Sequence, residues 1–278
     1  MSPYLHHPIF TYTEVTFRAR TLVSTEAHVF SVTWSPDSSH IMYRLQPNVD
    51  EESGYFPIIE EIVAVDFGTV SNTFTHPRMP ESETVWTSQG TLFFVNKVTA
   101  NVSSSKALWK RDNSEASIAT LIAFGNTDDA DGIVGLGVDS LVAVEIASGL
   151  DTRIDIVDAN GKSFTIFETK EDAIAYMTWD VKRVAEGRYV FAALRSSGVT
   201  GEPENIWSGS ADRGRMGALT IKLSSHHGWF TGRKAPISRS FHWKSSDGEA
   251  LQGIISFPPD RDLKNLPTVV VPHPGPYW

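Results

Sequence analysis

A chain of 278 residues, 41% hydrophobic and 11% aromatic, is long enough to bury a sizeable core in one or two domains. Its formal net charge of −9 at pH 7 argues against nucleic acid as a general partner, because phosphate binding needs clustered Lys and Arg. The absence of cysteine excludes disulfides and thiolate metal sites, and it permits a reducing compartment without proving one.

The chain opens on "MSPYLHHPIFTYTE", which has neither the basic n-region nor the apolar h-region of a secretory signal. Its apolar runs are short, such as "IVAV" and "LVAV", against the roughly 18 residues of a membrane span. The expectation is a cytoplasmic protein with no membrane partner. An Asn-x-Ser sequon at Asn101 matters only in a secreted chain, and chance accounts for it. The pairs His6-His7 and His226-His227 lack the ligand spacing of a zinc site and read as exposed loop histidines. No metal or other cofactor is implied.

Helical periodicity is scarce. Its best instance, Ile174, Met177, Val181 and Val184, is weakened by β-rich neighbours. Most of the chain reads as short strands cut by Gly, Asp, Asn and Ser turns. The strands recur in a fixed order. "SVTWSPDSSHIMYRL" places Trp34 before a polar turn and a strand, and "ETVWTSQGTLFFVN" does so with Trp86. "DGIVGLGVDSLVAVEI" repeats the layout with Leu136 in the Trp slot, and "YMTWDVKRVAEGRYVFAAL" with Trp179. The spacings are 86−34 = 52, 136−86 = 50 and 179−136 = 43. A third strand follows in each unit ("EEIVAVD", "KALWKRD", "TRIDIVD", "ENIWSGS"), ending on Asp66, Asp112 and Asp158 in three of the four. A fourth strand comes next, as in "ASIATLIAF", "KSFTIFET" and "GALTIKL".

Four strands per roughly 40–50 residues predict a β-propeller blade. One blade cannot cover its own faces, so blades stack around a central channel, and the Trp-slot residue is expected to pack between them. About four blades fit between residues 28 and 225, with "TYTEVTFRARTLVS" as a leftover outer strand or two. Propellers close with about four to eight blades, so further blades before the N-terminus are expected.

Three acidic groupings stand out. Glu60-Glu61 lies inside "PIIEEIVAVD", and adjacent strand residues point to opposite faces, so the pair cannot close on one amine. Residues 48–83 hold eight acids (Asp50, Glu51, Glu52, Glu60, Glu61, Asp66, Glu81, Glu83) against one base, Arg78. This reads as a solvating surface, with attraction of amine-bearing peptides by field as the alternative. Asp128, Asp129 and Asp131 in "NTDDADG" lack the Glu at position twelve of an EF-hand and read as a solvated loop between blades.

The pattern changes after residue 235. Asp247-Gly248 is a tight-turn signal between two alternating runs and predicts a hairpin, which Pro258-Pro259 ends. "RDLKNLP" reads as a linker. "TVVVPH" is a continuous β-branched run, suited to a strand buried on both faces of an α/β sheet. The segment "FHWKSSDGEALQGIISFPPD…LPTVVVPHPGPYW" resembles the junction between propeller and catalytic domain in the prolyl oligopeptidase family of serine peptidases. Its nearest branch is that of acylaminoacyl-peptidases and dipeptidyl-peptidase V-like enzymes. "WSPDSSHIMY" likewise resembles the Trp-Ser-Pro-Asp-Gly blade turn of those propellers. The motif-level resemblance covers residues 236–278.

The resemblance implies an all-β fold: a partial propeller over residues 1–235, then over 236–278 the opening strands of an α/β-hydrolase domain, the whole a fragment of a larger enzyme. It implies hydrolysis of short or N-blocked peptides, or of small acyl or ester substrates, by a Ser-Asp-His triad that the propeller screens. Such a triad places its Ser within Gly-x-Ser-x-Gly, followed by Asp and then His. The 278 residues contain no such pattern; "GVDS" at 137–140 and "SSGVTG" at 196–201 lack the spacing. No triad residue carries over, and the chain by itself is expected to be inactive. One element carries over in part. The family's strand runs into a His-Gly-Gly-Pro turn whose second Gly N–H helps form the oxyanion hole, and that position is Gly275. His273 heads the turn, and Pro274 replaces the first Gly, bringing a fixed φ and no N–H. The alternatives are a stand-alone propeller that binds peptides or proteins, whose "TVVVP" run would be an aggregation-prone apolar edge, and a pseudo-enzyme. Oligomeric state is not legible.

Overall fold

The structure, a computed structural model, describes residues 9–12, 19–47, 58–76, 82, 84–99, 104–112, 118–126, 128–137, 139–169, 178–197, 202–230, 232–262 and 264–272. Strand β1 (Ile9–Tyr12) pairs antiparallel with β2 (Ala19–Val23). Four antiparallel sheets of four strands follow. The first blade holds β3 (His28–Trp34), β4 (His40–Gln46), β5 (Ile58–Ala64) and β6 (Val70–His76). The second holds β7 (Val85–Trp86), β8 (Thr91–Lys97), β9 (Lys106–Asp112) and β10 (Thr120–Phe124). The third holds β11 (Asp129–Gly135), β12 (Leu141–Ser148), β13 (Asp151–Asp158) and β14 (Ser163–Glu168). The fourth holds β15 (Trp179–Ala185), β16 (Arg188–Ser197), β17 (Glu202–Asp212) and β18 (Arg215–Lys222). In every blade each strand pairs with its neighbour in the chain, as the repeat predicts. A 3-10 turn at Gly228–Phe230 precedes a hairpin of β19 (Ile237–Lys244) and β20 (Ala250–Phe257).

The period-2 alternation explains the stacking. A central strand such as β4 turns Ile41, Tyr43 and Leu45 to one face and Met42 and Arg44 to the other, and all five are buried. The core therefore lies in layers between sheets. Leu22 of β2 joins Ile41, Tyr43, Leu45 and Val63 on the outer face of the first blade. Met42, Ile62 and Phe74 meet Trp86 and Leu92 between the first and second. Phe93, Val95 and Leu108 meet Val142, Val144 and Val157 between the second and third. Ile154, Ile156 and Phe167 meet Tyr189, Phe191 and Leu219 between the third and fourth. Each such aliphatic or aromatic burial contributes about 1.5–3 kcal/mol.

The structure corrects the register of the repeat. The first hairpin of each blade turns through the left-handed region, at Ser38 (φ 60°), at Gly90 (φ 83°), at both Gly137 (φ 71°) and Asp139 (φ 51°), and at Gly187 (φ 67°). Counted at Asp139 in the third blade, the spacings are 90−38 = 52, 139−90 = 49 and 187−139 = 48, more even than those of the Trp slots. Trp34 and Trp86 lie four residues before this point. Leu136 lies only three before Asp139. Its N–H bonds the Leu141 carbonyl as Ser35 bonds His40 and Thr87 bonds Thr91. A one-residue slip reverses the face, so Leu136 packs into the layer shared with the fourth blade. Trp179 lies eight before Gly187, at the far end of β15 opposite Ala193. Trp86 fulfils the expected inter-blade packing, but Trp34 does not. Trp34 shares the outer face of the first blade with its partner Ile41, β2 covers only part of that face, and Trp34 stays 47% exposed.

Ser38 is a non-glycine in a region that disfavours a Cβ. Replacing it by Gly removes that strain, and the looser unfolded chain takes back part of the gain. Ser38→Gly is expected to stabilise by about 0.5–1 kcal/mol, read as a raised urea midpoint at unchanged slope.

Other local expectations are settled similarly. The third strand of the fourth blade runs past "ENIWSGS" to Asp212, so all four blades place an Asp at or just after that strand. Val181 and Val184 belong to β15 rather than to a helix; Ile174 and Met177 lie outside the described residues. Among the described residues no helix is long and apolar enough to cross a membrane. The run 268–272 forms no strand, and Val269, Val270 and Val271 are 82–84% exposed. A strand exists only as a pairing, and no described strand lies alongside this run.

Candidate functional site

His273, Pro274 and Gly275, where the sequence predicts an oxyanion turn, lie outside the described residues. So do His6-His7 and Asn101. Within the described residues the chemistry concentrates at Glu60, between the first and second blades.

Glu60 and Glu61 diverge, as adjacent strand residues must. Glu61 accepts a hydrogen bond from the Tyr43 hydroxyl on the outer face of the blade. Burial pushes that hydroxyl well above its ordinary pKa, and the Glu61 carboxylate pushes it further. Glu60 points the other way and is 1% exposed. Register supplies its partners. Arg44 lies directly opposite it on β4 and Phe74 on β6, while His76 pairs with Ile58 two residues away on the same face. Arg44 Nε donates to Glu60 Oε1 at 2.8 Å, and His76 Nε2 lies 2.7 Å from Oε2. From the segment before β7, the Thr84 hydroxyl donates to Oε1 at 2.8 Å. Arg44 Nη2 in turn donates to Thr84 Oγ1 and to the Ser82 carbonyl, each at 2.8 Å. Burial alone would raise the Glu60 pKa. The His76 hydrogen bond and charge, with the Arg44 guanidinium, outweigh it and hold the carboxyl at about 2. Thr84 gives its proton to a carboxylate already held by two other groups, so it is a link in the network rather than an activated nucleophile.

Beside this network stands Arg111 of β9, on the blade face that also carries Leu92, Phe94 and Trp109. Its guanidinium carbon sits 4.0 Å from the Phe74 ring centroid and 5.8 Å from that of Phe94. The residue is 7% exposed, and its Nε and Nη1 are buried without a hydrogen-bond partner. Burial lowers its pKa and the charge of Glu60 works against that. The guanidinium borders a cleft of about 500 Å³ between the two blades, walled by Phe74, His76, Phe94, Asn96 and Trp109.

The remaining acidic groupings resolve differently from their sequence reading. Of the eight acids in 48–83, Glu60 is buried and Glu61 is bonded to Tyr43, so neither adds to a solvating surface; Asp66 is exposed, and the other five lie outside the described residues. Asp128, Asp129 and Asp131 lie at and within β11 rather than in a solvated loop, each held by a donor. Arg153 reaches Asp128 at 2.7 Å, the Lys106 N–H reaches Asp129 at 2.9 Å, and the Lys106 ammonium reaches Asp131. His226 and His227 lie in a turn as expected, but only His226 is exposed, its N–H donating to Asn205, while His227 is half-buried with its ring edge-on to Trp229. Among the described residues no group of three or more His, Cys, Asp or Glu is placed to hold a metal ion. Sequence reasoning missed Arg44, His76, Thr84 and Arg111. The available signal was a charged residue at an inward position of an apolar strand, as in "HIMYRLQ".

No family model matches the chain, and no curated protein sequence does. Solved structures share its fold. A puromycin hydrolase mutant complexed with PGG matches 85% of this chain and 35% of its own at TM-score 0.54 and 16% identity. Porphyromonas gingivalis dipeptidyl peptidase 4 matches 91% of this chain and 35% of its own at TM-score 0.58 and 13% identity. An oligogalacturonate lyase in complex with manganese matches 91% of this chain and 72% of its own at TM-score 0.58 and 7% identity. This chain thus spans about a third of the length of either peptidase. What these likenesses establish is the fold: a run of consecutive four-stranded propeller blades.

Proposed function

We propose that the chain is the propeller-bearing part of a serine peptidase related to the prolyl oligopeptidase family. Blades alone do not select this reading, since peptidases and a lyase share them equally well. The observation that carries it is the segment after the fourth blade. There a hairpin of β19 and β20, an apolar run at 268–272 and the sequence His-Pro-Gly-Pro follow in the order of that family's junction. In this reading residues 1–235 screen short or N-blocked peptides by size at the propeller axis, and residues 236–278 open the catalytic domain. Gly275 holds the position of a backbone oxyanion donor, and Pro274 restricts the turn that would aim it. The nucleophile, the acid and the base lie beyond this chain, which does not turn substrate over alone.

The test has two arms. The reading frame beyond Trp278 is expected to encode Gly-x-Ser-x-Gly followed by Asp and then His. A fluorophosphonate probe is expected to label that longer product and to leave the 278-residue chain unlabelled. A frame without those elements, with a folded and monodisperse 278-residue protein, would replace the peptidase by a stand-alone binding module. Labelling of the short chain would refute the absent nucleophile.

A further inference from the structure

The hairpin joining β13 to β14 carries the single Asn-Gly pair of the 278 residues, Asn160-Gly161. Asp158 organises the turn. Its carboxylate accepts from the N–H of Asn160 at 2.8 Å and of Lys162 at 3.0 Å, and its carbonyl from the N–H of Gly161 at 2.9 Å. Gly161 holds the left-handed region at φ 79°. The backbone of the turn is thus fixed. The Asn160 side-chain amide is not: it is exposed and makes no hydrogen bond among the described residues. The turn also bears on the neighbouring blade. A Cβ at Gly161 would collide with the Ile122 carbonyl oxygen of β10, so its backbone lies directly against the second blade.

We propose that Asn160 is a site of spontaneous deamidation, and that its isoaspartate product loosens the contact between the second and third blades. The chemistry needs only water. The Gly161 backbone nitrogen loses its proton and attacks the Asn160 side-chain carbonyl carbon. The new C–N bond closes a five-membered succinimide, and the amide nitrogen leaves as ammonia. Water then opens the ring at one of its two carbonyls, giving aspartate or isoaspartate. Glycine in the following position favours the attack, since no Cβ shields the nitrogen. The bond from the Gly161 N–H to Asp158 opposes it, but that bond closes an exposed turn, which opens without unfolding the sheet. Isoaspartate routes the main chain through the former side chain and lengthens it by one carbon. Against Ile122 the turn has no slack to take up that length. The proposal is independent of the peptidase reading, since both blades precede residue 235.

Ageing of the folded 278-residue protein at pH 8 tests it, with tryptic digestion and mass spectrometry of peptide 154–162. The peptide is expected to gain the mass of an amide-to-acid exchange and to become a substrate of an isoaspartyl methyltransferase. Conversion is expected to be slower than in the urea-unfolded chain, and slower at pH 6, where less of the attacking nitrogen is deprotonated. The aged protein is expected to show a lowered urea midpoint. Asn160→Gln, whose longer side chain disfavours the ring, is expected to stay unmodified and to keep its midpoint through the same ageing. Freshly prepared Asn160→Asp adds the charge without lengthening the backbone, and it is expected to keep the wild-type midpoint. Absence of conversion in the folded protein, over a period in which the unfolded chain converts, overturns the site, because the turn then protects Asn160. Conversion without isoaspartate, or with an unchanged midpoint, overturns the effect on the blades. So does a fresh Asn160→Asp protein as weak as the aged one, since charge would then be the cause.

Discussion

Glu60→Ala is expected to cost about 3–5 kcal/mol of unfolding free energy, among the largest losses any single substitution here produces. The loss comes less from the missing contacts than from what they leave behind. Arg44 keeps its place on β4, still 3% exposed and bonded to Ser82 and Thr84, but without the carboxylate that neutralises it. His76 loses its acceptor in a site closed by Phe94. The network also ties the first blade to the segment entering the second, so the inter-blade contact loosens with it. Urea unfolding of the wild type and the variant measures the difference, and a loss below about 1 kcal/mol would show the network to be dispensable.

The same carboxyl sets a pH dependence. Its folded pKa of about 2 lies below the ordinary 4.5, so the folded state favours the ionised form. Its contribution is therefore fully present above pH 4.5 and is lost as the pH falls through that value toward 2. The gap is worth about 3 kcal/mol at 1.36 kcal/mol per pH unit. Acid unfolding of the wild type between pH 5 and 2 is expected to be steeper than that of Glu60→Ala, in which this contribution is missing throughout. Parallel curves would assign the acid sensitivity to other carboxylates.

Phe191→Ala is expected to cost about 3–5 kcal/mol through a different cause, the cavity it leaves. The ring is 1% exposed and sits in the layer between the third and fourth blades, 5.3 Å from Phe167. Its floor is backbone. Gly209 on β17 and Gly217 on β18 lie beneath it, and a Cβ at Gly209 would stand 2.9 Å from the ring and 2.1 Å from the Ala218 carbonyl oxygen. A site floored by paired backbone cannot collapse inward, so the space stays open and the cost falls toward the upper end of the range. Urea unfolding gives the value. A cost under about 1.5 kcal/mol would mean that the two blades close over the gap.

The count of four blades was legible because the alternation of side chains along a strand and the spacing of turns are local properties, each written within a dozen residues. The divergence of Glu60 and Glu61 was legible for the same reason. The Trp-slot register was not. Leu136 lies one residue past the position of Trp34 and Trp86, and hydrophobicity alone does not distinguish neighbours whose faces are opposite. The left-handed turn residues mark the repeat better than the tryptophans do, since backbone geometry constrains them more tightly than packing constrains a side chain.

By itself, then, the sequence determined the four strands of each blade, the blade as the repeating unit and the change of pattern after residue 235. Only the tertiary structure decided which charged residues meet. Arg44, Glu60 and His76 meet because β4, β5 and β6 pair in register within one sheet, and Thr84 joins them from the segment entering the second blade, 40 residues from Arg44. The surroundings of Arg111 are set by the stacking of two sheets, which brings Phe74 of the first blade against its guanidinium. The run at 268–272 makes the converse point. Its β-branched residues favour a strand, but pairing needs a partner, and the described residues place none beside it.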